Sequence, residues 1–484
     1  MRTLKSAGLC ALALMALAPA TGAEVRPPTR VAFFFDTEDY TCDRSNDAIR
    51  DLAKLLTEEG VRGNFNVVGY LGQRLVELRR TDVIDALRPH VLGTQTLYHS
   101  RHPDIAEIGD DPDYTRAYDR TRAEEARGVE LLEAAFGKGR IVFACPPGNS
   151  VSAVAMDVYS DLGIRVNAAT GICGLPTKDG VYGAGMLVRS GTEVDGLWYF
   201  NQYQVPYYEA FGLESLLPGS PSVDMKAELD KMAKFDFIGL YMHPHMAVKR
   251  QHWDGPNYAG GNNCEWGKWK QVPDRDPKDT AEFYERLRGL LRTLKADPRF
   301  QITDLDEMTA ALKPRRTISR ADIPFVRAAL RREFGSVREP ASWCVADVFQ
   351  AAVRLLRDEA PVRPGKVRGF LARPKGVSRP VRVSAAAVRA AAAKIDLESF
   401  LPSELDLGGG VRIGPADFLF AALEVLETGS ETVELVPRPQ LGSFKEIPTV
   451  ENLSIAGKWL HTSEFKDEFL SERLRLQLWT MRFE

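Results

Sequence analysis

From residue 30 onward the chain alternates short apolar runs with amphipathic stretches. Residues 31–35 form a nearly continuous apolar run that leads into acidic residues, as is typical of a strand buried on both faces of a parallel sheet. Residues 46–59 then place apolar side chains at helical spacing and stop at Gly60. Further runs typical of strands lie at residues 64–68, 91–93, 140–144, 165–168, 237–242 and 300–302, and helical spacing returns at residues 114–136, 150–162, 225–233 and 279–296. Repeated β-then-α units predict an α/β fold with a parallel sheet, either doubly wound or closed into a barrel.

The pattern changes near Pro314, where basic residues and proline indicate a linker. Helical spacing beyond it, at residues 325–334, 346–356, 385–394 and 418–426, predicts a smaller, mainly helical C-terminal domain over residues 318–484. Nine basic and no acidic residues lie between Pro361 and Ile395. This stretch is either a solvated hairpin or a surface for an anionic envelope polymer.

The N-terminus has the layout of a secretory signal peptide. Arg2 and Lys5 precede an apolar run over residues 9–17, and small residues follow up to Ala23. The run is too short for a membrane span, and no later segment is apolar enough for one. We therefore expect residues 1–23 to be removed and the mature protein to be exported, periplasmic or extracellular. The alternative is an N-terminus that is apolar by chance.

Composition narrows the class of protein. The 484 residues are 44% hydrophobic and 27% charged, as expected of a globular protein. Lys and Arg (63) nearly balance Asp and Glu (66), which argues against nucleic acid as a partner. The five cysteines beyond the leader contain no C-x-x-C pair, so a zinc knuckle is not expected, whereas an exported protein could form one or two disulfides from them.

Titratable side chains follow three of the predicted strands. Asp36, Glu38 and Asp39 come after the first strand, His99 follows the strand at residues 91–93, and His243 follows the strand at residues 237–242. The carboxyl ends of parallel strands meet at one edge of the sheet. Carboxylates and imidazoles converging there have the donors of a metal-assisted hydrolase. Taken singly, each could be a loop residue, a helix cap or a buried core histidine.

Together these motifs resemble a known family. In their order and spacing, residues 31–312 are similar to polysaccharide deacetylases of the NodB-homology type, also called carbohydrate esterase family 4. The resemblance implies a distorted (β/α) barrel over residues 24–314 that removes N- or O-acetyl groups from a polysaccharide with a divalent metal, zinc being the expected ion. Residues 35–40 resemble the first motif, with Asp36 as general base and Asp39, or else Glu38, as the acidic metal ligand.

The other motifs assign further roles by resemblance. Residues 93–99 match the second motif, which places Gln95 and His99 at its two metal-binding positions. Residues 146–148 match the third and residues 195–198 loosely match the fourth, so Pro147 and Trp198 are expected to contact substrate. Residues 240–243 match the fifth and place His243 as general acid.

Two positions depart from this pattern. Gln95 stands where the family has its first metal-binding histidine, and an amide oxygen is a much weaker zinc ligand than imidazole. Gln95 itself, Glu38 with Asp39, or His102 could complete the site. Cys145 stands near the place of an arginine that orients the base. A glycan-binding protein without catalysis is therefore the alternative to a deacetylase, and a hydrolase of a non-sugar amide is a third possibility.

The segment after His243 is rich in aromatic, glycine and asparagine residues. Trp253 and Tyr258 belong to it, and Trp266 and Trp269 follow. Aromatic faces suit stacking on the apolar C–H faces of sugar rings, so we expect Trp253 and Tyr258 to contact substrate. The alternative is a surface loop that packs on itself. His245 and His252 are expected to lie in the loop or behind the site.

Overall fold

A computed structural model gives the arrangement of most of the chain. It describes residues 26–147, 152–168, 175–177, 180–182, 192–194, 197–199, 212–312, 315–337, 340–361, 363–442, 459–466 and 468–483. The predicted signal peptide lies outside the described residues.

The first part of the chain consists of β-α units, as predicted. Its elements are β1 (Thr29–Thr37), α1 (Asp43–Glu58), β2 (Asn64–Val67), α2 (Gly69–Glu77), α3 (Thr81–Leu87), β3 (Val91–Thr94), α4 (Ile105–Gly109), α5 (Tyr114–Phe136), β4 (Ile141–Ala144), α6 (Ala153–Asp161) and β5 (Val166–Asn167). The apolar run of β1 is fully buried from Val31 to Phe35, because helices cover both faces of a parallel sheet.

Short strands and loops precede a second set of units. The elements are β6 (Leu175–Thr177), β7 (Gly180–Tyr182), β8 (Thr192–Val194), β9 (Leu197–Tyr199), a 3-10 helix (Leu213–Leu216), α7 (Met225–Met232), β10 (Phe237–Met242), a 3-10 helix (Pro244–Ala247), α8 (Gly255–Tyr258), a 3-10 turn (Ala259–Gly261), α9 (Pro277–Ala296), β11 (Phe300–Thr303) and α10 (Leu305–Ala310).

The C-terminal region is mainly helical, with short strands between the helices. Its elements are a 3-10 turn (Arg320–Asp322), α11 (Ile323–Arg332), α12 (Val345–Leu356), β12 (Arg368–Phe370), β13 (Val381–Ser384), α13 (Ala385–Lys394), β14 (Phe400–Leu401), β15 (Leu405–Asp406), β16 (Arg412–Ile413), α14 (Pro415–Thr428), β17 (Thr432–Leu435), α15 (Leu470–Arg475), a 3-10 turn (Leu478–Thr480) and β18 (Arg482–Phe483).

One ten-stranded sheet organises the molecule. Its order is β10-β1-β2-β3-β4-β5-β9-β8-β18, and β11 pairs with the N-terminal half of β1. The pairs from β10 to β9 are parallel, whereas β8 and β18 run antiparallel to their neighbours. The α/β class and the curled parallel sheet surrounded by helices are thus confirmed. The carboxyl ends of β1, β3 and β10 lie at one edge, where the site is found.

The C-terminal region packs on the sheet. Strand β18 extends the sheet through β8, and the hydrophobic core that holds Phe34 and Phe143 continues to Phe349 and Trp479. The predicted domain boundary near Pro314 stays a prediction. Nevertheless, the core is shared across it.

Part of the basic stretch is occupied by ion pairs within the protein. Lys366 and Arg368 contact Asp157 and Asp161 of α6, and Arg373 contacts Glu472. The binding of an anionic envelope polymer to this stretch stays a prediction.

The described cysteines are unpaired. Cys42, Cys145, Cys264 and Cys344 are all free thiols, so no disulfide forms among these four. Cys173 lies outside the described residues. Among the described helices, none has the length and apolar character needed to cross a bilayer.

Candidate active site

The site lies where β1, β3 and β10 end. Asp36 is the penultimate residue of β1, Glu38 follows that strand directly, His99 lies in the loop after β3, and His243 follows β10. All but His243, which is half-buried, are less than 7% exposed. Parallel pairing brings β1 next to β10, so the chain delivers these groups to one edge of the sheet, as predicted.

Glu38 lies at the centre of the site. Its Oε2 atom is 2.7 Å from Nε2 of His99 and accepts a long hydrogen bond, 3.5 Å, from the amide of Gln95. Its Oε1 atom accepts a 3.1 Å hydrogen bond from the indole of Trp253. The two oxygens of one carboxylate therefore face different groups.

A hydroxyl and a second carboxylate hold His99 from behind. The Ser100 hydroxyl donates to Asp254 at 2.7 Å and lies 2.6 Å from Nδ1 of His99. Because this hydroxyl gives its proton to Asp254, it accepts one from Nδ1–H of His99. The Nε2 atom of His99 therefore points toward Glu38, the orientation that an outer carboxylate gives to a metal-binding histidine.

A second carboxylate–imidazole pair lies beside the first. Nε2 of His243 is 3.5 Å from Oδ2 of Asp36, and its Nδ1 is 2.7 Å from Oε1 of Glu214. Glu214 also accepts from the backbone N–H of His243. On the other side, the Asn66 amide donates a 2.7 Å hydrogen bond to Asp36. Both members of the pair are thus oriented by a neighbour.

The charges stabilise one another. Burial alone raises the pKa of Glu38, but nearby His99, His243 and His245 hold that pKa well below its usual value. Burial alone lowers the pKa of His243, but Glu38 and Glu214 outweigh it and raise that pKa to about 10. These opposite shifts indicate an anionic Glu38 next to a protonated His243 at neutral pH.

His99 and Glu214 are also kept charged by their neighbours despite burial. Burial opposes the charge on His99, but Glu38 raises its pKa above the ordinary value. Burial also opposes the charge on Glu214, but the hydrogen bond from His243 lowers its pKa to about 2.

The loop that carries His99 has unusual backbone geometry. Thr96 and His99 have φ values of 64° and 59°, a left-handed region that side-chain-bearing residues rarely occupy. The start of α2 holds the loop: the N–H groups of Gly69 and Tyr70 donate to the carbonyls of Thr96 and Leu97. Such strain persists where the surroundings fix the backbone, and it is frequent at functional sites.

Of the predicted metal ligands, Glu38, His99 and Gln95 are brought together, but Asp39 is not. The Asp39 carboxylate accepts hydrogen bonds from Thr41 and Ser45, which close the turn before α1, and burial raises its pKa. The Oε1 atom of Gln95 is buried and finds no hydrogen-bond partner within the described part of the chain.

The predicted substrate-binding residues lie in different surroundings. Trp253 and Tyr258 are each 1% exposed and pack in the core, where the Tyr258 hydroxyl contacts that of Tyr40. Pro147 is buried, and Trp198 lies in β9. Cys145 is buried too, which raises its pKa well above the usual value of a thiol.

Four groups of the site were not identified from the sequence: Asn66, Ser100, Glu214 and Asp254. Asp254 lies in the same segment as Trp253, and Ser100 directly follows His99, so both were close to motifs already noted. Glu214 comes from a 3-10 helix far from any motif, and the sequence holds no signal for it.

Aromatic side chains form a partly exposed surface near His99. Trp266 is 39% exposed and lies 5.3 Å from Tyr98 and 4.8 Å from Tyr70, measured between ring centroids. The guanidinium of Arg101 lies 4.9 Å from the Trp266 ring. Tyr98 directly precedes His99, so this surface adjoins the site.

Comparisons with known proteins find similarity of fold. No protein-family model and no curated protein matches the sequence. Among solved structures, the chain is similar to a CE4 family pseudoenzyme from Bacillus anthracis, with 11% identity and a TM-score of 0.30 over 58% of this chain and 65% of that one. A family 4 carbohydrate esterase from Streptomyces lividans has 12% identity and a TM-score of 0.30, over 58% of this chain and 93% of that one.

A protein from Mycobacterium smegmatis, named as a polysaccharide deacetylase, has 18% identity and a TM-score of 0.36, over 60% of this chain and 94% of that one.

Proposed function

We propose that this chain is an exported, divalent-cation-dependent hydrolase that removes acetyl groups, chiefly N-acetyl, from a polysaccharide. The observation that carries the proposal is that two carboxylate–imidazole pairs, each oriented by neighbouring side chains, lie side by side at one edge of the sheet. Glu38 and His99, backed by Asp254, offer ligands for a cation, while Asp36 and His243 offer a base and an acid.

The residues present fit a cation. Ligand atoms of Glu38, His99 and Asp254 all lie within 4.8 Å of one another, and all three residues are buried. Carboxylate and imidazole are donors that zinc accepts. The amide of Gln95 adjoins Glu38, and its buried Oε1 atom, which has no hydrogen-bond partner among the residues that the structure describes, is a further oxygen donor near this group.

The acid and base roles follow from the hydrogen bonds. A bound divalent cation supplies an acidified water and a positive charge that stabilises the developing oxyanion. Asp36, held by Asn66, accepts a proton from the attacking water. His243 is protonated at Nε2 and held at Nδ1 by Glu214, and it donates its Nε2 proton to the departing amine.

Support for a sugar substrate comes from the aromatic surface next to His99. Trp266 is the most exposed of its members and offers an apolar face of the kind on which pyranose rings stack. The buried Trp253 instead donates its indole N–H to Glu38, so we assign it the role of holding that carboxylate.

The first test is the amount of bound metal per chain, measured by elemental analysis of the purified mature protein. We expect about one tightly bound zinc-like ion per chain, lost in His99→Ala. His102→Ala is the matched control, because His102 bonds to Glu107 and to the Tyr258 carbonyl, away from Glu38. Failure of the wild type to bind added metal would rule out the mechanism.

The second test is acetate release from N-acetylated oligosaccharides. Asp36→Asn should lower the rate by roughly 10²–10⁴-fold, the usual contribution of a general base. The metal content of this variant should be unchanged, because Asp36 contacts Asn66 and His243 and is not in the Glu38–His99–Asp254 group. An unchanged rate in a folded variant would contradict the role of Asp36.

A glycan-binding protein without catalysis is the second candidate. Two observations favour it. Glu38 and His99 contact each other directly at 2.7 Å, so the two ligand atoms form an ion pair with each other where a cation would lie between them. In addition, Gln95 stands at a ligand position. Glycan binding that persists after chelation and in Asp36→Asn, with no acetate released, would identify the binder.

A further inference from the structure

Three histidines gather near Glu38 in addition to His99. His243, His245 and His252 all come from the segment that follows β10. Their ring centroids are 4.6 Å apart for His243 and His252, 5.5 Å for His245 and His252, and 5.6 Å for His243 and His245. Three imidazoles in contact around one carboxylate are more than the acid and base roles require.

Their nitrogens are placed for ligation. Ligand atoms of Glu38, His243 and His252 all lie within 4.8 Å of one another. His252 is exposed and His243 half-buried, so an ion can reach the group from solvent. Within this group, Nδ1 of His243 bonds to Glu214, which leaves Nε2 as its ligand atom.

His245 gives an independent indication of a ligand. Its side chain is 1% exposed, and within the described part of the chain neither of its ring nitrogens has a hydrogen-bond partner. Its Nδ1 atom lies 3.8 Å from Oε1 of Glu38. A buried imidazole without a partner is costly unless something in the site interacts with it. A cation, or water bound to it, would do so.

We propose that Glu38, His243 and His252, with His245 beside them, form a second divalent-cation site adjoining the Glu38–His99–Asp254 group. The two oxygens of Glu38 face different groups: Oε2 contacts His99, while Oε1, which also accepts from the Trp253 indole, lies 3.8 Å from Nδ1 of His245. Imidazole-rich donors of this kind suit zinc, copper or nickel rather than calcium or magnesium.

The two sites differ in strength. A cation held by Glu38 and His99 already neutralises the Glu38 carboxylate, so a second cation meets less negative charge and more repulsion. Asp36 and Glu214 next to His243 partly offset this. The second cation is therefore the weaker one, and it exchanges with solvent through the exposed His252.

Occupation of the second site inhibits the hydrolase, a consequence that rests on the proposed function. His243 cannot both bind a cation through Nε2 and carry the proton that it donates to the departing amine. When the cation binds, the Nε2 proton is released to solvent, while the Nδ1 proton stays on the ring and remains hydrogen-bonded to Glu214. Excess zinc therefore lowers the rate after the first equivalent has bound.

The test is a Zn²⁺ titration of chelator-treated protein, followed by equilibrium dialysis with elemental analysis. For the wild type we expect about two ions per chain, the second binding more weakly. His252→Ala should lower the affinity for the second ion by about tenfold or more and leave the affinity for the first ion unchanged. His99→Ala should weaken the first. His102→Ala is the control and should keep both.

A parallel rate measurement gives the functional consequence. Acetate release by the wild type should fall as the second ion binds, whereas His252→Ala should keep its rate over the same Zn²⁺ range. His252 is exposed and its ring contacts are with His243 and His245 of the proposed site, so this variant should fold.

The outcomes separate this inference from the proposed function. A wild type that binds only one ion, or a second ion that survives His252→Ala, would overturn the second site. Loss of the second ion in His252→Ala supports the second site even if the wild type releases no acetate. Absence of acetate release would count against the hydrolase and not against the second site.

Discussion

Glu214 shows how one side chain sets the chemistry of another. It bonds to both the ring and the backbone N–H of His243 and comes from a 3-10 helix outside the predicted motifs. Burial alone would leave His243 neutral, but Glu38 and Glu214 raise its pKa to about 10. The imidazole is therefore a charged proton donor because of its neighbours, not because of its position after β10.

Replacing Glu214 with glutamine should lower the pKa of His243. A hydrogen bond to a charged group is worth roughly 1.5–3 kcal/mol, which corresponds to a decrease of roughly 1–2 pH units. In the proposed mechanism His243 acts in its protonated form, so activity should be lost as pH rises through this pKa. The alkaline limb of the rate profile should thus move to lower pH.

NMR titration of the imidazole Cε1–H signal measures this pKa directly, with the signal assigned by its loss in His243→Gln. Glu228→Gln is the control, because Glu228 pairs with Lys231 on the surface of α7. An unchanged His243 titration in Glu214→Gln would show that Glu214 does not hold the ring.

At the scale of elements, α2 and α5 position the loop that carries His99. Gly69 begins α2, and a Cβ atom there would lie 2.6 Å from the Cα atom of Gly128 in α5. The two helices thus approach more closely than side chains allow. This approach lets the first N–H groups of α2 bond to the carbonyls of Thr96 and Leu97.

Gly69→Ala should therefore destabilise the protein by about 1–3 kcal/mol, the cost of overpacking. Gly289→Ala is the matched control: it lies exposed in α9 with nothing within 4 Å of a new Cβ, and it should stabilise by about 0.5–1 kcal/mol. Urea unfolding measures both. Equal effects of the two changes would contradict the role of the close approach.

Elements with a strong local pattern could be predicted from the sequence. Helix α5 begins and ends where the periodicity does, at Tyr114 and Phe136, and β10 spans the predicted residues 237–242. Their apolar side chains repeat with the period of the element, so the sequence holds the information locally. Helix α14 is longer than its predicted residues 418–426 because Pro415 starts it and Gly429 ends it in a left-handed conformation.

The site could be predicted only where strand ends decide it. Asp36, Glu38, His99 and His243 meet because β1, β3 and β10 run parallel in one sheet. The orientation of Asp39 depends instead on hydrogen bonds in the turn before α1, which spacing does not reveal. The partners from loops and the 3-10 helix depend on tertiary packing and needed the structure.

At the scale of the whole molecule, β18 connects the β-α region to the helical C-terminal region. Arg482 of β18 lies beside β8 and forms a bidentate ion pair with Asp347 of α12, at 2.5 and 2.6 Å. Both side chains are at most 1% exposed. The surrounding core runs from Phe34 in β1 to Trp479 near the C-terminus, so the regions share one hydrophobic interior.

Arg482→Gln should destabilise the whole molecule by about 3–5 kcal/mol, because it leaves the Asp347 carboxylate buried without its partner. Since the core is continuous, calorimetry of both wild type and variant should show a single unfolding transition that shifts as a unit. Arg412→Gln is the control: its pair with Glu404 is exposed and should contribute about 0–1 kcal/mol. Two separate transitions in the wild type would mean that the sheet domain and the helical region fold independently, and a variant as stable as the wild type would mean that the buried pair does not hold them together.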